Sequence, residues 1–114
     1  MEGLELLCFR IISSVGSAKS EYIEAIQCAK KASFSEAYQK MAEGDKSFVL
    51  GHAQHASLIQ SEANGENVVA SLLLIHAEDQ MMSAEDFKLL AIEFIQMYER
   101  LYGLETQHNT KEKE

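Results

Sequence analysis

Two residues suited to phosphoryl chemistry follow an apolar segment. His76 and Asp79 stand three residues apart, directly after the apolar run 72–75. In a helix this spacing puts both side chains on one flank. A neutral imidazole nitrogen is a nucleophile toward phosphorus near neutral pH, and phosphoryl transfer depends mainly on positioning and charge stabilisation. His76 is therefore a candidate phosphoryl acceptor. On spacing alone, the alternative is a hydrogen-bonded core histidine, with Asp79 as its partner or as a surface charge.

A second histidine pair is a weaker candidate. His52 and His55 are also three residues apart, and with an outside carboxylate they would make a transition-metal site. Two ligands are fewer than such a site usually needs, so packing and surface roles are the alternative. Cys8 and Cys28 have no zinc-site spacing and are interpreted as reduced packing residues. No glycine-rich phosphate loop, HExxH or Gly-x-Ser-x-Gly motif supports a hydrolase or a nucleotide-dependent kinase.

Composition limits the class of protein. The 114 residues suit one domain, and 18 acidic against 10 basic residues give a formal charge of −8. This charge disfavours nucleic-acid binding and makes a basic protein partner easier to accommodate. The longest apolar run, 68–75, is too short to span a membrane. We therefore expect a cytoplasmic, soluble protein without membrane insertion.

Helices are favoured throughout, because proline is absent and apolar residues recur at steps of three and four. Three helices are predicted, at about 3–31, at 33–63, and from a cap at Asn67 to Gly103. Ser33 and Glu36 would form a capping box, and glycine at Asn64-Gly65 would close the second helix. Weak points or bends are expected at four positions: Gly16, Gly44, Gly51 and Ser83.

The ends of the domain follow from polarity. The tail 104–114, which includes His108, is almost wholly polar, so the folded domain is predicted to cover 1–103 and the tail to be disordered.

The fold expected from these elements is all-α, an antiparallel up-down-up three-helix bundle. The first part of the third helix has apolar residues on every side, although a three-helix bundle covers only one side of each helix. These residues are Val68, Val69, Ala70, Leu72, Leu73, Leu74, Ile75 and Ala77. Exposing that surface would cost several kcal/mol at about 25 cal/mol per Å². Oligomerisation through the third helix is therefore predicted, with the copy number left open by the sequence pattern.

The segment Leu72-Leu73-Leu74-Ile75-His76-Ala77-Glu78-Asp79-Gln80-Met81-Met82 resembles a family signature. It is similar to the leucine run and His-Ala-Gln-Asp-His-Leu-Met of the lactose/cellobiose-type enzyme IIA components of the sugar phosphotransferase system. The likeness covers about residues 5–102 and includes further matching segments: Phe9-Arg10-Ile11-Ile12, Val15–Ser20, Glu24-Ala25, Ala29-Lys30, His52 and Leu58–Glu66.

The resemblance implies a homotrimer in which His76 is the phosphoryl acceptor, forming tele-phosphohistidine. It implies that Asp79 binds a divalent metal ion, Mg²⁺, at the trimer axis, with one ion per trimer. Without a cation or protons, three such carboxylates in an apolar interface would repel one another. The implied donor is the histidine-containing phosphocarrier protein, and the implied acceptor is a cysteine of the cognate enzyme IIB. The cargo would be a β-linked disaccharide such as lactose, cellobiose or diacetylchitobiose.

Two departures from the family pattern lie near the candidate site. Glu78 and Gln80 stand where the family has glutamine and histidine, and His55-Ala56 replaces the family's Gln-Thr pair. An added carboxylate would either repel a phosphoryl group or face solvent. Two alternative functions follow: a diverged, unphosphorylated helical trimer that acts as a regulatory binding module, and a purely structural helical oligomer. A two-component histidine phosphotransfer domain is disfavoured because no lysine-glycine pair follows His76.

Overall fold

The chain folds into three helices. The computed structural model describes the backbone of residues 2–113 and the side chains of residues 3–109. The helices are α1 (Glu2–Lys30), α2 (Phe34–Ala63) and α3 (Leu72–Lys113), and there is no strand within that range. The predicted all-α class is therefore confirmed. No helix in this range is long and apolar enough to cross a membrane.

Contacts between the helices give their directions. Tyr22 on α1 bonds Asp45 on α2, and Glu24 pairs with Lys40, so the two helices are antiparallel. Between α2 and α3, His55 bonds Glu78 and Tyr38 bonds Glu99, so these two helices are also antiparallel. The up-down-up order is therefore confirmed. α1 packs closely against both other helices, whereas α2 and α3 make little contact with each other.

Two clusters of buried side chains form the core. One surrounds Tyr22 and includes Ala91 and Ile95 of α3. The other surrounds Ile11 and includes Ala77, Met81 and Ala84 of α3. The buried side of α3 is thus built largely from small residues, which let α3 lie close to α1. The second cluster holds the turn of α3 that carries His76.

Two glycines of α2 serve as close contact points with α1. A Cβ added at Gly44 would lie 2.5 Å from Cε1 of the buried Tyr22, and one at Gly51 would lie 2.7 Å from Cγ1 of Val15. Both distances are well below ordinary van der Waals contact, so only glycine fits without a shift. α2 continues through both glycines, and their missing side chains make room for the contact with α1.

The connection between α1 and α2 differs from the predicted capping box. The Ser33 side chain makes no capping hydrogen bond. Its backbone carbonyl instead accepts from the Ala37 amide at 3.0 Å, and Ala32 takes the left-handed conformation with φ 62°. The end of α2 is as expected: Gly65 has φ 85° and its amide donates to the Glu62 carbonyl.

The bounds of α3 also differ from the prediction. α3 begins at Leu72 rather than after Asn67, and the Leu74 amide donates to the Ser71 hydroxyl at 3.1 Å. The helix does not end at Gly103 as predicted but continues to Lys113. Residues 104–113, predicted to be disordered, are therefore helical, and Glu114 lies outside the described residues. The possible breaks at Gly16 and Ser83 are absent from the helices that contain them.

Candidate functional site

His76 lies in the second turn of α3 with an exposed side chain. The next residue, Ala77, is fully buried in the Ile11 cluster and fixes this turn against α1. The arrangement excludes the alternative of a core histidine for the single subunit. It leaves the imidazole accessible to a partner protein while its backbone is held by the core.

The start of α3 at Leu72 gives His76 a favourable electrostatic position. The first amides of a helix lack intrahelical partners, and the positive end of the helix dipole favours anions, by about 0.3–1 kcal/mol at an exposed site. Helical side chains lean toward the N-terminus, so the imidazole projects over the first turn. A start after Asn67 would have placed His76 in the third turn, beyond most of this effect. An anionic group on the His76 side chain would therefore be favoured where it lies over the first turn.

Asp79 lies on the outward face of α3, opposite the buried face. Its carboxylate is exposed, and exposed apolar side chains follow the same face at helical spacing, namely Leu72, Ile75, Met82, Leu90, Met97, Leu101 and Leu104. Leu72 is 83% exposed in the single subunit. Such a long apolar stripe with isolated carboxylates is typical of a helix that packs against other copies of itself.

The chemistry of Asp79 fits a shared cation better than a site within one subunit. Among the described residues, no group of three or more histidine, cysteine, aspartate or glutamate side chains converges. A divalent ion at Asp79 would need carboxylates from symmetry-related subunits, and an oxygen ligand suits Mg²⁺.

The second histidine pair does not form one site. The exposed His52 ring stacks on Phe48, with ring centroids 6.2 Å apart. The His55 side chain is 18% exposed and its Nε2 lies 2.6 Å from Oε1 of Glu78 on α3. An ionised carboxylate only accepts hydrogen bonds, so Nε2–H of His55 is the donor. The predicted alternative of a transition-metal site at His52 and His55 has no support from this geometry.

Glu78 faces away from His76. Residues two apart on a helix project in nearly opposite directions. The Glu78 carboxylate is bonded to His55. Burial, followed by the charge of Glu78, raises the pKa of the Cys8 thiol on α1. The Glu78 carboxylate is therefore bonded to α2 rather than facing solvent alone, and it projects away from the His76 flank of its own subunit.

Lys19 provides a cation on the same side of α3 as His76. Its Nζ donates to the Ser83 hydroxyl at 3.2 Å and lies 5.7 Å from the centre of the Phe87 ring. Ser83 follows His76 by seven residues, which is two helical turns or about 10 Å along the axis. Lys19 therefore fixes α1 to this flank rather than contacting the imidazole.

A partly buried polar network lies farther along the bundle. The Tyr22 hydroxyl donates to Oδ1 of Asp45 at 2.7 Å, and Lys88 Nζ lies 3.1 Å from the same oxygen. Burial, followed by the bond to Asp45, raises the pKa of the Tyr22 phenol well above its usual range. The network joins all three helices. Sequence reasoning missed it and the His55–Glu78 pair, because partners 23 or more residues apart leave no local spacing signal.

Comparison with known proteins finds relatives over most of the chain. Residues 6–99 match the family described as "PTS system, Lactose/Cellobiose specific IIA subunit". A lichenan-specific phosphotransferase enzyme IIA component of Bacillus subtilis is 36% identical over 100 residues, which cover 88% of this chain and 91% of that protein. A cellobiose-specific EIIA component of Lactococcus lactis is 36% identical over 97 residues, which cover 85% of this chain and 84% of that protein.

The fold is similar to that of a solved relative. The crystal structure of a cellobiose-specific enzyme IIA from Bacillus anthracis superposes with a TM-score of 0.88 at 40% identity. The match covers 90% of this chain and 94% of that one. Because the family match covers most of the chain and includes the His76 segment, this protein belongs to the lactose/cellobiose-specific IIA subunits of the sugar phosphotransferase system.

Proposed function

We propose that His76 carries a phosphoryl group between two protein partners. The observation that carries this proposal is an exposed imidazole in the N-terminal part of α3, within the segment that resembles the family signature. The donor is the phosphohistidine of the histidine-containing phosphocarrier protein. An imidazole nitrogen of His76 attacks phosphorus, a new N–P bond forms, and the donor's N–P bond breaks.

The second transfer completes the cycle. A cysteine thiolate of the cognate enzyme IIB attacks the phosphoryl group, forming an S–P bond and releasing the His76 imidazole. The phosphoryl group then passes to a β-linked disaccharide such as lactose, cellobiose or diacetylchitobiose during its uptake. Relatives named for lichenan, lactose and cellobiose support this class of sugar. The protein acts in the cytoplasm and meets only protein partners.

The experiment is intact-mass spectrometry of wild type and His76→Gln after incubation with phosphoenolpyruvate, enzyme I and the phosphocarrier protein. Neutral or alkaline buffer preserves phosphohistidine. One added phosphoryl group per wild-type chain, lost in the variant, is expected. No addition to wild type, with an active control protein, would contradict the proposal and favour the unphosphorylated binding module.

The working assembly is a homotrimer in which the outward faces of α3 meet. The apolar stripe on α3 is exposed in the single subunit, and this supports the arrangement. Each large aliphatic side chain that the trimer removes from water would contribute about 1.5–3 kcal/mol. Three Asp79 carboxylates would then hold one Mg²⁺ near the axis, which offsets their mutual repulsion.

Sedimentation of wild type and Asp79→Ala, each with Mg²⁺ or with chelator, tests this assembly. Wild type should form trimers whose stability falls with chelator, and the variant should no longer respond to Mg²⁺. If chelator does not change the stability of the wild-type trimer, and Asp79→Ala forms an equally stable trimer, the metal is ruled out. A monomeric wild type would rule out the assembly itself.

A further inference from the structure

The contact between His55 and Glu78 is a feature of this chain that the proposed cycle leaves unused. The two residues stand where the family pattern has two glutamines. His55 is largely buried on α2, and its imidazole lies 2.6 Å from a Glu78 carboxylate oxygen. A hydrogen bond to an ionised carboxylate is shorter and stronger than one between neutral groups.

This pair lies where α3 has little other support from α2. A cleft of about 190 Å³ lies beside it, lined by Leu58 and Ile59 of α2, by Val68 of the α2–α3 connection and by Leu74 of α3. The two helices therefore do not close against each other next to the His76 turn. Other polar contacts between α2 and α3 lie farther along: Asp45 with Lys88, and Tyr38 with Glu99.

The turn that carries His76 is close to a helix end, and helix ends fray. Its side toward α1 is held by the buried Ala77. Its side toward α2 is held by Glu78, which immediately follows Ala77 and bonds His55. These two attachments lie next to each other in sequence and act in different directions, so together they restrict rotation of the turn about the helix axis.

We propose that His55 is a positioning residue for phosphoryl transfer: by bonding Glu78 across the gap between α2 and α3, it fixes the orientation of the turn that presents His76. Within one subunit the His55–Glu78 pair lies on the side of α3 opposite His76, so His55 acts on this His76 through the helix rather than by direct contact. This role rests on the proposed function of His76.

The first test compares wild type, His55→Leu and His55→Gln in phosphoryl transfer from the phosphocarrier protein. Leucine fills similar space without donating, whereas a glutamine amide still donates to Glu78. Misplacement of a reacting group by a fraction of an ångström lowers rates steeply, and we expect kcat to fall about tenfold in His55→Leu. KM for the phosphocarrier should stay near the wild-type value, and His55→Gln should recover most of the loss.

A matched control uses another contact between the same helices. Tyr38→Phe removes the donor to Glu99 near the far end of α2 and should leave kcat unchanged. Amide hydrogen exchange supplies a readout independent of phosphoryl transfer: residues 72–79 should exchange faster in His55→Leu, while amides around Tyr22 stay protected.

The outcomes separate this inference from the proposed function. Active wild type with an unaffected His55→Leu, or an equal loss of kcat in Tyr38→Phe, would overturn the positioning role. A rise in KM alone would assign His55 to partner docking and would also overturn it. If wild type accepts no phosphoryl group, the proposed function fails, whereas the exchange measurement still decides whether His55 holds the turn.

Discussion

The close approach of α1 to α2 at Gly44 gives the sharpest test of the fold. In an exposed helix, Gly→Ala stabilises by about 1 kcal/mol, because alanine restricts the unfolded chain and favours the helix. At Gly44 the new Cβ would lie 2.5 and 2.7 Å from Cε1 and Cδ1 of Tyr22. Ordinary carbon contacts are about 3.5–4.0 Å, so either the Tyr22 ring or the helix must move by about 1 Å.

The expected magnitude combines three contributions. Overpacking a core costs about 1–3 kcal/mol. Tyr22 is fully buried and donates to Asp45, so a shift of its ring also weakens a charge-assisted hydrogen bond, a class worth about 1.5–3 kcal/mol when intact. The higher helix propensity of alanine offsets about 1 kcal/mol of this loss. We therefore expect Gly44→Ala to lower the free energy of unfolding by about 1–3 kcal/mol.

The assay is urea unfolding followed by far-UV circular dichroism at one fixed protein concentration. Gly16→Ala is the matched control, since nothing lies within 4 Å of the added Cβ and Gly16 is also inside a helix. It should stabilise by about 0.5–1 kcal/mol. If Gly44→Ala is as stable as wild type or more stable, α1 and α2 do not approach each other as closely as described and the reasoning fails.

Three further predictions concern the polar contacts. Tyr22→Phe should lower the free energy of unfolding by about 1–2 kcal/mol, because Asp45 loses a hydrogen-bond donor and keeps only Lys88. Urea unfolding at neutral pH measures this change. An unchanged midpoint would show that the hydrogen bond contributes nothing to stability. The raised pKa of Tyr22 means that the folded state holds its phenolic proton more tightly, so this stabilisation is complete below the ordinary value of 10.0 and is lost as pH rises above it. Wild type should therefore lose stability more steeply than Tyr22→Phe above pH 10, and parallel curves would contradict this account. Ser71→Ala should cost about 1 kcal/mol and accelerate amide exchange in the first turn of α3, whereas Ser33→Ala should be nearly neutral, since only Ser71 makes a side-chain cap bond.

Some features of the fold and of the candidate site could be predicted from the sequence, and others could not. The stripes of α1 and α3 were predictable because burial of one face imposes helical spacing, and Ile11, Tyr22, Ala77 and Ala91 are all buried. The candidate His76 was recognisable from its spacing to Asp79 and from the surrounding signature. The start of α3 was misplaced by several residues, because both Asn67 and Ser71 are good capping residues and only their actual geometry distinguishes them.

The amino-acid sequence by itself determined the three helices, the apolar outward face of the third, and the residue best suited to carry a phosphoryl group. These features depend on local periodicity and on residue chemistry, which can be read from residues close together in the sequence. The tertiary structure alone decided that Gly44 is a contact point with α1, that the Glu78 carboxylate bonds His55, and that His76 lies in the second turn of its helix. Each of these depends on distances between segments far apart in the chain, or on competition between neighbouring caps, and local patterns do not encode such distances.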